Sequence, residues 1–309
     1  MSALSLTELP ERVKIVEMGP RDGLQNESTV VPTADKVRFI DLLGASGLAA
    51  IETTSFVRPS AIPQLDDAEA VMSAIERRPG VTYLCLAPNE RGLARSRASG
   101  VRAIAVFTAA SESFTKHNIN MTIDESLATF ATVVRDARRD GMWVRGYVST
   151  AFGCPYEGAV PVERVVAVAS ALAEMGVDEI SIGDTIGVAT PRDVVEVAGA
   201  LQAHMPVERL AMHFHDTRGT ALANVVAALQ MQIATFDSSA GGLGGCPYAP
   251  GATGNLATED LLYMLDGMGI ATGVSLDAVR AASRFLAGVI GREPQSRAYR
   301  ALEAAMARA

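Results

Sequence analysis

Two histidines separated by one residue are the most chemically informative pair in this chain. His213 and His215 flank Phe214 and follow the apolar run Leu210-Ala211-Met212. Because alternate side chains of a β-strand point to the same face, this spacing predicts two imidazoles side by side. Two adjacent imidazoles can supply two ligands to a metal ion, but two hydrogen-bonded core histidines would have the same spacing. The H-x-H pair therefore needs further polar partners before it predicts chemistry.

Several other polar or reactive side chains also follow apolar runs with the character of strands. If those strands are parallel, their carboxyl ends meet at one face of the fold, where the active sites of α/β barrels lie. Each residue alone has a simpler explanation as a turn residue, a surface group or a helix cap. Their joint occurrence after different strands favours one site shared with the H-x-H pair. The candidates are Arg21, Asp22, Glu52, Asp184, Cys246 and Asn255.

The donor atoms of these candidates indicate which cation they would bind. Imidazole nitrogens together with carboxylate and amide oxygens form a mixed, mostly hard set, which suits a six-coordinate divalent ion with open positions for substrate. We therefore expect Mg²⁺ or Mn²⁺. Zinc is the less suitable ion because no thiolate accompanies the histidines, and Cys246 lies in a glycine-rich segment. Such an ion acts as a Lewis acid on substrate oxygens.

The elements that must hold these residues alternate along the whole chain. Short apolar runs are followed by amphipathic helical stretches such as 34–43, 162–175 and 191–203, which is typical of repeated βα units. Eight units predict an α/β fold, a closed (β/α)8 TIM barrel. An open doubly wound sheet is the competing architecture, but no G-x-G-x-x-G follows the first strand. The predicted strands are Val13–Glu17, Ala50–Thr53, Thr82–Leu86, Ala103–Phe107, Val144–Val148, Glu179–Ile182, Leu210–His213 and Thr235–Asp237.

Two segments depart from this alternation. Residues 238–255 are rich in glycine, and the run 241–248 lacks the G-K-[ST] ending of a phosphate-binding loop. We interpret it as a lid that carries the Cys246 thiol over bound substrate, with a flexible loop and an incidental cysteine as the alternative. The tail has apolar residues at helical spacing. We expect one barrel domain over 1–309, of which about 270–309 is a C-terminal helical extension.

Composition and charge restrict the partners and the location. The 309 residues are 49% hydrophobic and carry a formal net charge of -8, with a sequence pI near 5.1. An acidic chain without a basic stripe is poorly suited to a phosphate backbone, so we expect no nucleic-acid partner. No apolar run is long enough to span a bilayer and no signal-peptide pattern opens the chain, which predicts a cytoplasmic protein without a membrane partner. Three cysteines without C-x-x-C spacing fit a reducing compartment.

Longer motifs around the candidate residues resemble one enzyme family. The motifs are GPRDGLQNE at 19–27, IETTSFV at 51–57, GDTIGV at 183–188, HFHDT at 213–217 and the segment 241–260. Together they resemble the 3-hydroxy-3-methylglutaryl-CoA lyases over almost the whole chain. The run Gly-Gly-Cys-Pro-Tyr-Ala and the run GNLATED at 254–260 are specific to these lyases. The Arg-Asp-Gly and H-x-H elements are shared with related condensing enzymes and carboxyltransferases.

The resemblance implies both a metal site and a reaction. Its implied metal ligands are Asp22, His213, His215 and Asn255, and its implied substrate is the acyl-CoA thioester 3-hydroxy-3-methylglutaryl-CoA, which is cleaved to acetyl-CoA and acetoacetate. In this retro-Claisen reaction a tertiary alcohol is deprotonated and an enolate departs. Arg21, next to the metal ligand Asp22, is therefore expected to neutralise the thioester enolate oxygen.

Protonation of the enolate carbon requires an acid. We assign Cys246 and Glu52 as the candidate acids, with His213 as a possible proton relay. Asp184 is expected to support the site.

Three positions concern substrate binding. Gln25 is expected to orient Arg21 or the substrate. Many of these lyases have H-C-H-D-T-Y-G where this chain has Phe214 and Arg218. Arg218 is therefore a candidate for binding a substrate carboxylate, with an outward-facing loop charge as the alternative. Some relatives also carry a basic residue where this chain has Gly291-Arg292-Glu293, so the contacts to the CoA phosphates stay open.

Other functions remain to be tested against this one. The nearest is the same chemistry on a related thioester such as citramalyl-CoA. A Schiff-base aldolase would need a desolvated lysine, and the three lysines are Lys14, Lys36 and Lys116. A condensing synthase is disfavoured because no regulatory domain follows the barrel. A barrel that binds metal or acyl-CoA without catalysis is the last alternative. The resemblance and the apolar tail helix also predict a homodimer.

Overall fold

The computed structural model describes residues 8–245 and 254–308, and within them eight parallel strands form a closed barrel in chain order. The last strand pairs with the first, with Val16 opposite Asp237. The predicted (β/α)8 TIM barrel is confirmed, and each predicted strand agrees within two residues at either end. The strands are β1 (Lys14–Glu17), β2 (Ala50–Ser55), β3 (Thr82–Leu86), β4 (Ala103–Ala109), β5 (Trp143–Ser149), β6 (Glu179–Asp184), β7 (Leu210–Phe214) and β8 (Thr235–Ser238).

Helices connect the strands and cover the outside of the barrel, because parallel neighbours require a crossover connection. The predicted stretches 34–43, 162–175 and 191–203 correspond to α1, α6 and α7. The helices are α1 (Thr33–Gly44), α2 (Ala68–Ala74), α3 (Glu90–Ala98), α4 (Glu112–Ile119), α5 (Ile123–Arg139), α6 (Val162–Glu174), α7 (Pro191–Gln202), α8 (Ala221–Gln230), α9 (Thr258–Gly267), α10 (Leu276–Ile290) and α11 (Arg297–Met306).

The C-terminal helices pack on the barrel helices. Helix α10 lies against α1 and α9, and α11 lies against α9. Their apolar faces extend the core between the sheet and the helices, where Val279 and Leu286 of α10 are buried. None of the helices in the described ranges has the length and apolar character that crossing a membrane requires.

The inside of the barrel combines an apolar layer with buried charges. Val16, Ala50, Leu84 and Ala105 form part of the apolar layer. Arg145 of β5 is fully buried there. Its Nε donates to Glu179 Oε1 at 2.8 Å and its Nη2 donates to Asp237 Oδ1 at 2.7 Å. A buried guanidinium is tolerated only with such partners, so this ion-pair group links β5, β6 and β8 across the barrel.

Candidate active site

A cavity of about 550 Å³ lies near the carboxyl ends of the strands. Its walls are partly apolar, with Val57, Ile62, Phe107 and Phe114 among them. The polar residues on its surface come from several different strand ends and loops. They include Arg21, Asp22, Gln25, Asn118, Ser149, Ser181, Thr185, His213 and His215.

A single π-helical turn, Gly19–Gly23, places Arg21 and Asp22 at this cavity. It begins directly after β1 and is closed by a hydrogen bond from the Gly23 N–H to the Met18 carbonyl at 3.0 Å. The wider turn brings two successive side chains into the same site, a use for which π turns are known. Gly19 permits this path because a Cβ there would lie 2.7 Å from Glu17 Oε1.

Asn255 reaches the site through a short backbone pairing. Residues 254–256 run beside the end of β7, where the Asp216 N–H donates to the Gly254 carbonyl at 2.9 Å and the Leu256 N–H donates to the Phe214 carbonyl at 3.0 Å. This pairing sets Asn255 opposite His215. Two residues that lie 40 positions apart in the sequence therefore become neighbours.

Three of the four implied metal ligands form one cluster. The ligand atoms of Asp22, His213 and His215 all lie within 4.8 Å of one another. Asn255 adjoins them, because its Nδ2 donates to Asp22 Oδ2 at 2.9 Å and to the Leu243 carbonyl at 3.0 Å. Its Oδ1 is buried and has no hydrogen-bond partner within the described protein, and the same holds for Nδ1 of His215. Buried polar atoms without partners are costly, and the Asn255 Oδ1, on the same amide that contacts Asp22, fits a ligand of a bound divalent cation.

The electrostatics of the cluster also fit a cation. Burial, together with the neighbouring charge of His213, lowers the pKa of His215 to about 4, which keeps this imidazole neutral and able to ligate at neutral pH. Burial alone would raise the pKa of Asp22, but the charge of Arg21, the neighbouring imidazoles and the hydrogen bond from Asn255 outweigh burial and lower it. Asp22 is therefore a carboxylate at neutral pH.

Arg21 and Glu52 form a tight buried pair beside this cluster. The Arg21 Nε and Nη2 atoms lie 2.6 Å and 2.5 Å from Glu52 Oε2, and Nη1 lies 2.7 Å from Asp22 Oδ1. Glu52 is fully buried behind Arg21 and is not among the residues that line the cavity. Burial raises the pKa of Glu52, and the Arg21 charge offsets only part of that effect. The contacts make Glu52 a support for the guanidinium.

Gln25, Asp184 and Arg218 occupy three different environments. Gln25 lines the cavity, and its Nε2 donates to Asp22 Oδ1 at 2.9 Å. Asp184 ends β6 and accepts hydrogen bonds from the N–H groups of Val188 and Ala189 at 2.9 Å and 3.0 Å, so it braces the loop after β6. Arg218 is exposed and is not a cavity-lining residue; its Nη1 donates to carbonyls of that same loop. Cys246 lies outside the described residues.

The lysines required by a Schiff-base aldolase are elsewhere. Lys116 is exposed on α4, and Lys14, partly buried at the start of β1, donates a hydrogen bond to Glu179 Oε2 at 2.7 Å. Lys36 is buried on α1, where it pairs with Asp67 at 2.8 Å. None of the three lines the cavity. The described site therefore offers no amine for a Schiff base.

Sequence reasoning missed several residues near the site. Tyr147 of β5 lines the cavity, and its ring is close to two guanidinium groups, with its centroid 5.7 Å from Cζ of Arg21 and 5.0 Å from Cζ of Arg145. Asp237 of β8 contacts His213. Arg145, Tyr147 and the cavity-lining Ser149 alternate along one strand, which is the signal that would have placed all three on the interior face.

A (β/α)8 barrel with a carboxylate–histidine cluster at the carboxyl ends of its strands defines a class of barrel with a site suited to a divalent cation. The profile of the family described as HMGL-like matches residues 12–286. The chain belongs to the HMGL-like family. It is 50% identical to the mitochondrial hydroxymethylglutaryl-CoA lyase of Bos taurus over 301 residues, covering 97% of this chain and 93% of that protein.

Bacterial hydroxymethylglutaryl-CoA lyases are similar to this chain to the same degree. The chain is 50% identical to a hydroxymethylglutaryl-CoA lyase of Bacillus subtilis over 288 residues, which covers 93% of this chain and 96% of the relative. The crystal structure of the hydroxymethylglutaryl-CoA lyase from Pseudomonas aeruginosa superimposes with a TM-score of 0.94 at 50% identity, covering 96% of this chain and 99% of that chain. The similarity therefore extends well beyond the residues of the site.

Proposed function

We propose that this protein cleaves 3-hydroxy-3-methylglutaryl-CoA to acetyl-CoA and acetoacetate with the help of a divalent cation, Mg²⁺ or Mn²⁺. The observation that carries the proposal is the meeting of Arg21 with the cluster of Asp22, His213 and His215 at one cavity. The proposal is supported by 50% identity to lyases named for this substrate.

The cleavage has a simple balance of atoms and electrons. The C3 hydroxyl loses its proton, the C2–C3 bond breaks, and the C3 oxygen becomes the ketone of acetoacetate. The electron pair of the broken bond goes to the thioester enolate, which takes up one proton to become acetyl-CoA. A bound divalent ion supplies Lewis acidity toward the hydroxyl and carbonyl oxygens.

We assign the cation-holding role to Asp22, His213, His215 and Asn255. Neutral His215, ionised Asp22 and the unpartnered Asn255 Oδ1 form the mixed nitrogen and oxygen donor set that Mg²⁺ and Mn²⁺ accept. Gln25 and Asn255 each donate a hydrogen bond to one oxygen of Asp22, at 2.9 Å in both cases, and so hold its carboxylate in place.

Arg21 is assigned to the enolate oxygen. A guanidinium has five N–H donors, and the contacts with Glu52 and Asp22 use three of them. The remaining donors are available to a substrate oxygen, because the side chain lines the cavity. Two carboxylates fix the guanidinium before substrate arrives, which is the preorganisation that makes such charge stabilisation effective.

The acid that protonates the enolate carbon remains a proposal from the sequence. Of the two candidates, Glu52 is screened from the cavity by Arg21, so its contacts favour a positioning role. We retain Cys246 as the acid, with His213 as a possible relay, because Gly245, its neighbour in the sequence, lines the cavity. Asp184 supports the site by bracing the loop that carries the cavity residue Thr185.

We also propose that the protein is a cytoplasmic homodimer. Two of its three cysteines, Cys85 and Cys154, are buried free thiols, which suits a reducing compartment. Tyr263 on α9 and Met306 on α11 are large apolar side chains exposed on the C-terminal helices, and they supply a surface for a second copy of the chain.

A comparison of thioesters tests the proposed reaction. We expect purified protein to release acetoacetate from 3-hydroxy-3-methylglutaryl-CoA, to lose this activity in EDTA, and to regain it with Mg²⁺ or Mn²⁺. Parallel assays with citramalyl-CoA, following pyruvate release, control for the substrate. A strong preference for citramalyl-CoA would contradict the substrate assignment, and full activity in EDTA would contradict the role of the cation.

A further inference from the structure

Asp237, near the end of β8, is a buried carboxylate that the proposed mechanism does not use. Its Oδ2 lies 3.2 Å from Nδ1 of His213, and its side chain is fully buried. It is not part of the cluster of possible ligand atoms formed by Asp22, His213 and His215. Asp237 therefore contacts a proposed metal ligand, His213, without being a ligand itself.

The position of Asp237 is fixed by donors from two other strands. Ser181 Oγ of β6 donates to Oδ2 at 2.8 Å, and Arg145 Nη2 of β5 donates to Oδ1 at 2.7 Å. Arg145 is itself held by Glu179 at 2.8 Å and by the Tyr147 hydroxyl at 3.0 Å. Both oxygens of the carboxylate are thus engaged, and the carboxylate cannot turn away from His213 without breaking these bonds.

This arrangement has a direct consequence for the His213 ring. A carboxylate has no proton to donate at neutral pH, so a hydrogen bond with Nδ1 requires the proton on Nδ1, and in the neutral imidazole this leaves the lone pair on Nε2. Ring orientation and tautomer are the properties that a carboxylate behind a ligating histidine sets. His215 differs, because its buried Nδ1 has no partner within the described protein.

We propose that Asp237 is a positioning residue that locks His213 as the Nδ1–H tautomer and so presents Nε2 to the divalent cation, with Ser181 and Arg145 holding Asp237 in place. The inference rests on the cation site of the proposed function. It concerns how the site is prepared, and it does not depend on which thioester is cleaved.

Asp237→Asn separates this role from a purely structural one. Arg145 can only donate, so the oxygen of the introduced amide is required at the Arg145 side, and the amide nitrogen then faces His213 and Ser181. That nitrogen is a donor, which forces Nδ1 to accept and moves the imidazole proton to Nε2. The variant therefore preserves shape while it reverses the tautomer. Asp178→Asn is the matched control, because Asp178 directly precedes β6 and forms an ion pair with Arg138.

The first measurement is of metal binding in the absence of substrate. We expect calorimetric titration with Mn²⁺ to show a dissociation constant about 10- to 100-fold higher for Asp237→Asn than for the unaltered protein, and no change for Asp178→Asn. Binding within twofold of the unaltered protein would overturn the proposal, as would unaltered protein that binds no Mn²⁺. Weaker metal binding in a protein that cleaves no hydroxymethylglutaryl-CoA would support this inference while rejecting the proposed function.

The second measurement needs no variant at position 237 and so does not depend on how that variant folds. The chain has four histidines, so nitrogen-15 spectra of metal-free protein at about pH 8.5, above the usual histidine range, can be assigned with single His→Gln variants. We expect the His213 signal to show the proton on Nδ1. A proton on Nε2 in the unaltered protein would overturn the proposal.

Discussion

Arg21 is the residue on which the proposed chemistry depends most. Its guanidinium contacts Glu52 and Asp22 and still borders the cavity, so it adjoins both the proposed cation ligand and the space where the proposed enolate oxygen would lie. Lysine would not be an equivalent replacement, because an ammonium lacks the planar fork that contacts both carboxylates at once.

Replacing Arg21 with glutamine should slow the reaction and also destabilise the fold. We expect kcat to fall about 10²- to 10³-fold, as when a donor to a developing oxyanion is removed. Stability should fall by about 3–5 kcal/mol, because Glu52 is left buried without its partner. Steady-state kinetics and urea unfolding measure the two effects.

The double variant Arg21→Gln/Glu52→Gln separates these effects. It removes the unpaired buried charge, so much of the lost stability should return while turnover stays low. Arg138→Gln, which breaks an ion pair with Asp178 far from the cavity, should retain the original kcat. Recovery of turnover in the double variant would show that Arg21 acts through stability alone.

Among the elements, the π turn after β1 has a close steric contact that leads to the proposed cation site. It ends at Gly23, which lies against the segment after β8. A Cβ at this position would lie 2.8 Å from Ser239 Oγ and 2.9 Å from the Leu243 Cβ atom. The carbonyl of Leu243 accepts a hydrogen bond from Asn255, so this contact connects the turn to the proposed cation site.

Gly23→Ala should therefore weaken cation binding without altering any ligand. The added methyl group requires Leu243 to move, and that movement displaces Asn255 relative to Asp22. We expect the Mn²⁺ dissociation constant to rise about tenfold or more, a change of the size seen when groups that support metal ligands are altered. Calorimetric titration provides the measurement.

Gly288→Ala is the matched glycine control. Gly288 lies within α10 and has no atom within 4 Å of a Cβ built on it, so alanine should stabilise the helix by about 0.5–1 kcal/mol and leave metal binding unchanged. Unchanged Mn²⁺ affinity in Gly23→Ala would show that the turn adapts to the methyl group.

The stability of the whole molecule depends on several carboxyl groups that the barrel keeps away from water. Asp184 is one of them, and burial raises its pKa to about 6 although two backbone N–H groups favour its charged form. A carboxyl whose pKa is higher in the folded state binds protons more tightly there than in the unfolded chain. Its contribution to stability is complete at acidic pH and is lost as the pH rises through the folded pKa.

We expect Asp184→Asn to remove a pH-dependent part of the unfolding free energy. Between about pH 4 and pH 6 the native protein should lose up to about 3 kcal/mol through this group, since one pKa unit corresponds to about 1.4 kcal/mol. The variant has no proton to lose, so its stability should fall less over this range. Urea unfolding at several pH values tests this expectation. Asp124→Asn, at an exposed position on α5, is the control. If the unfolding free energy of Asp184→Asn fell as steeply with pH as that of the unaltered protein, the expectation would be wrong.

Much of the fold and part of the candidate site follow from local patterns in the sequence. Short apolar runs locate the eight strands and 3.6-residue periodicity locates the main helices, because parallel barrel strands are buried on both faces whereas each helix buries one. The strand-end rule then brings Asp22, His213 and His215 to one face. Alternation along β5 indicates that Arg145 faces the interior, but its pairing with Asp237 spans 92 residues and has no local signal.

The sequence by itself determined the barrel and the kinds of donor atoms available at its mouth, since both depend on residue type and short-range spacing. Tertiary structure alone decided which side chains face the cavity. Closure of the barrel puts Glu52 behind Arg21, directs Arg218 to the loop after β6, and sets Asp237 against His213. These outcomes depend on strand register and on pairing between distant segments, which no local pattern specifies.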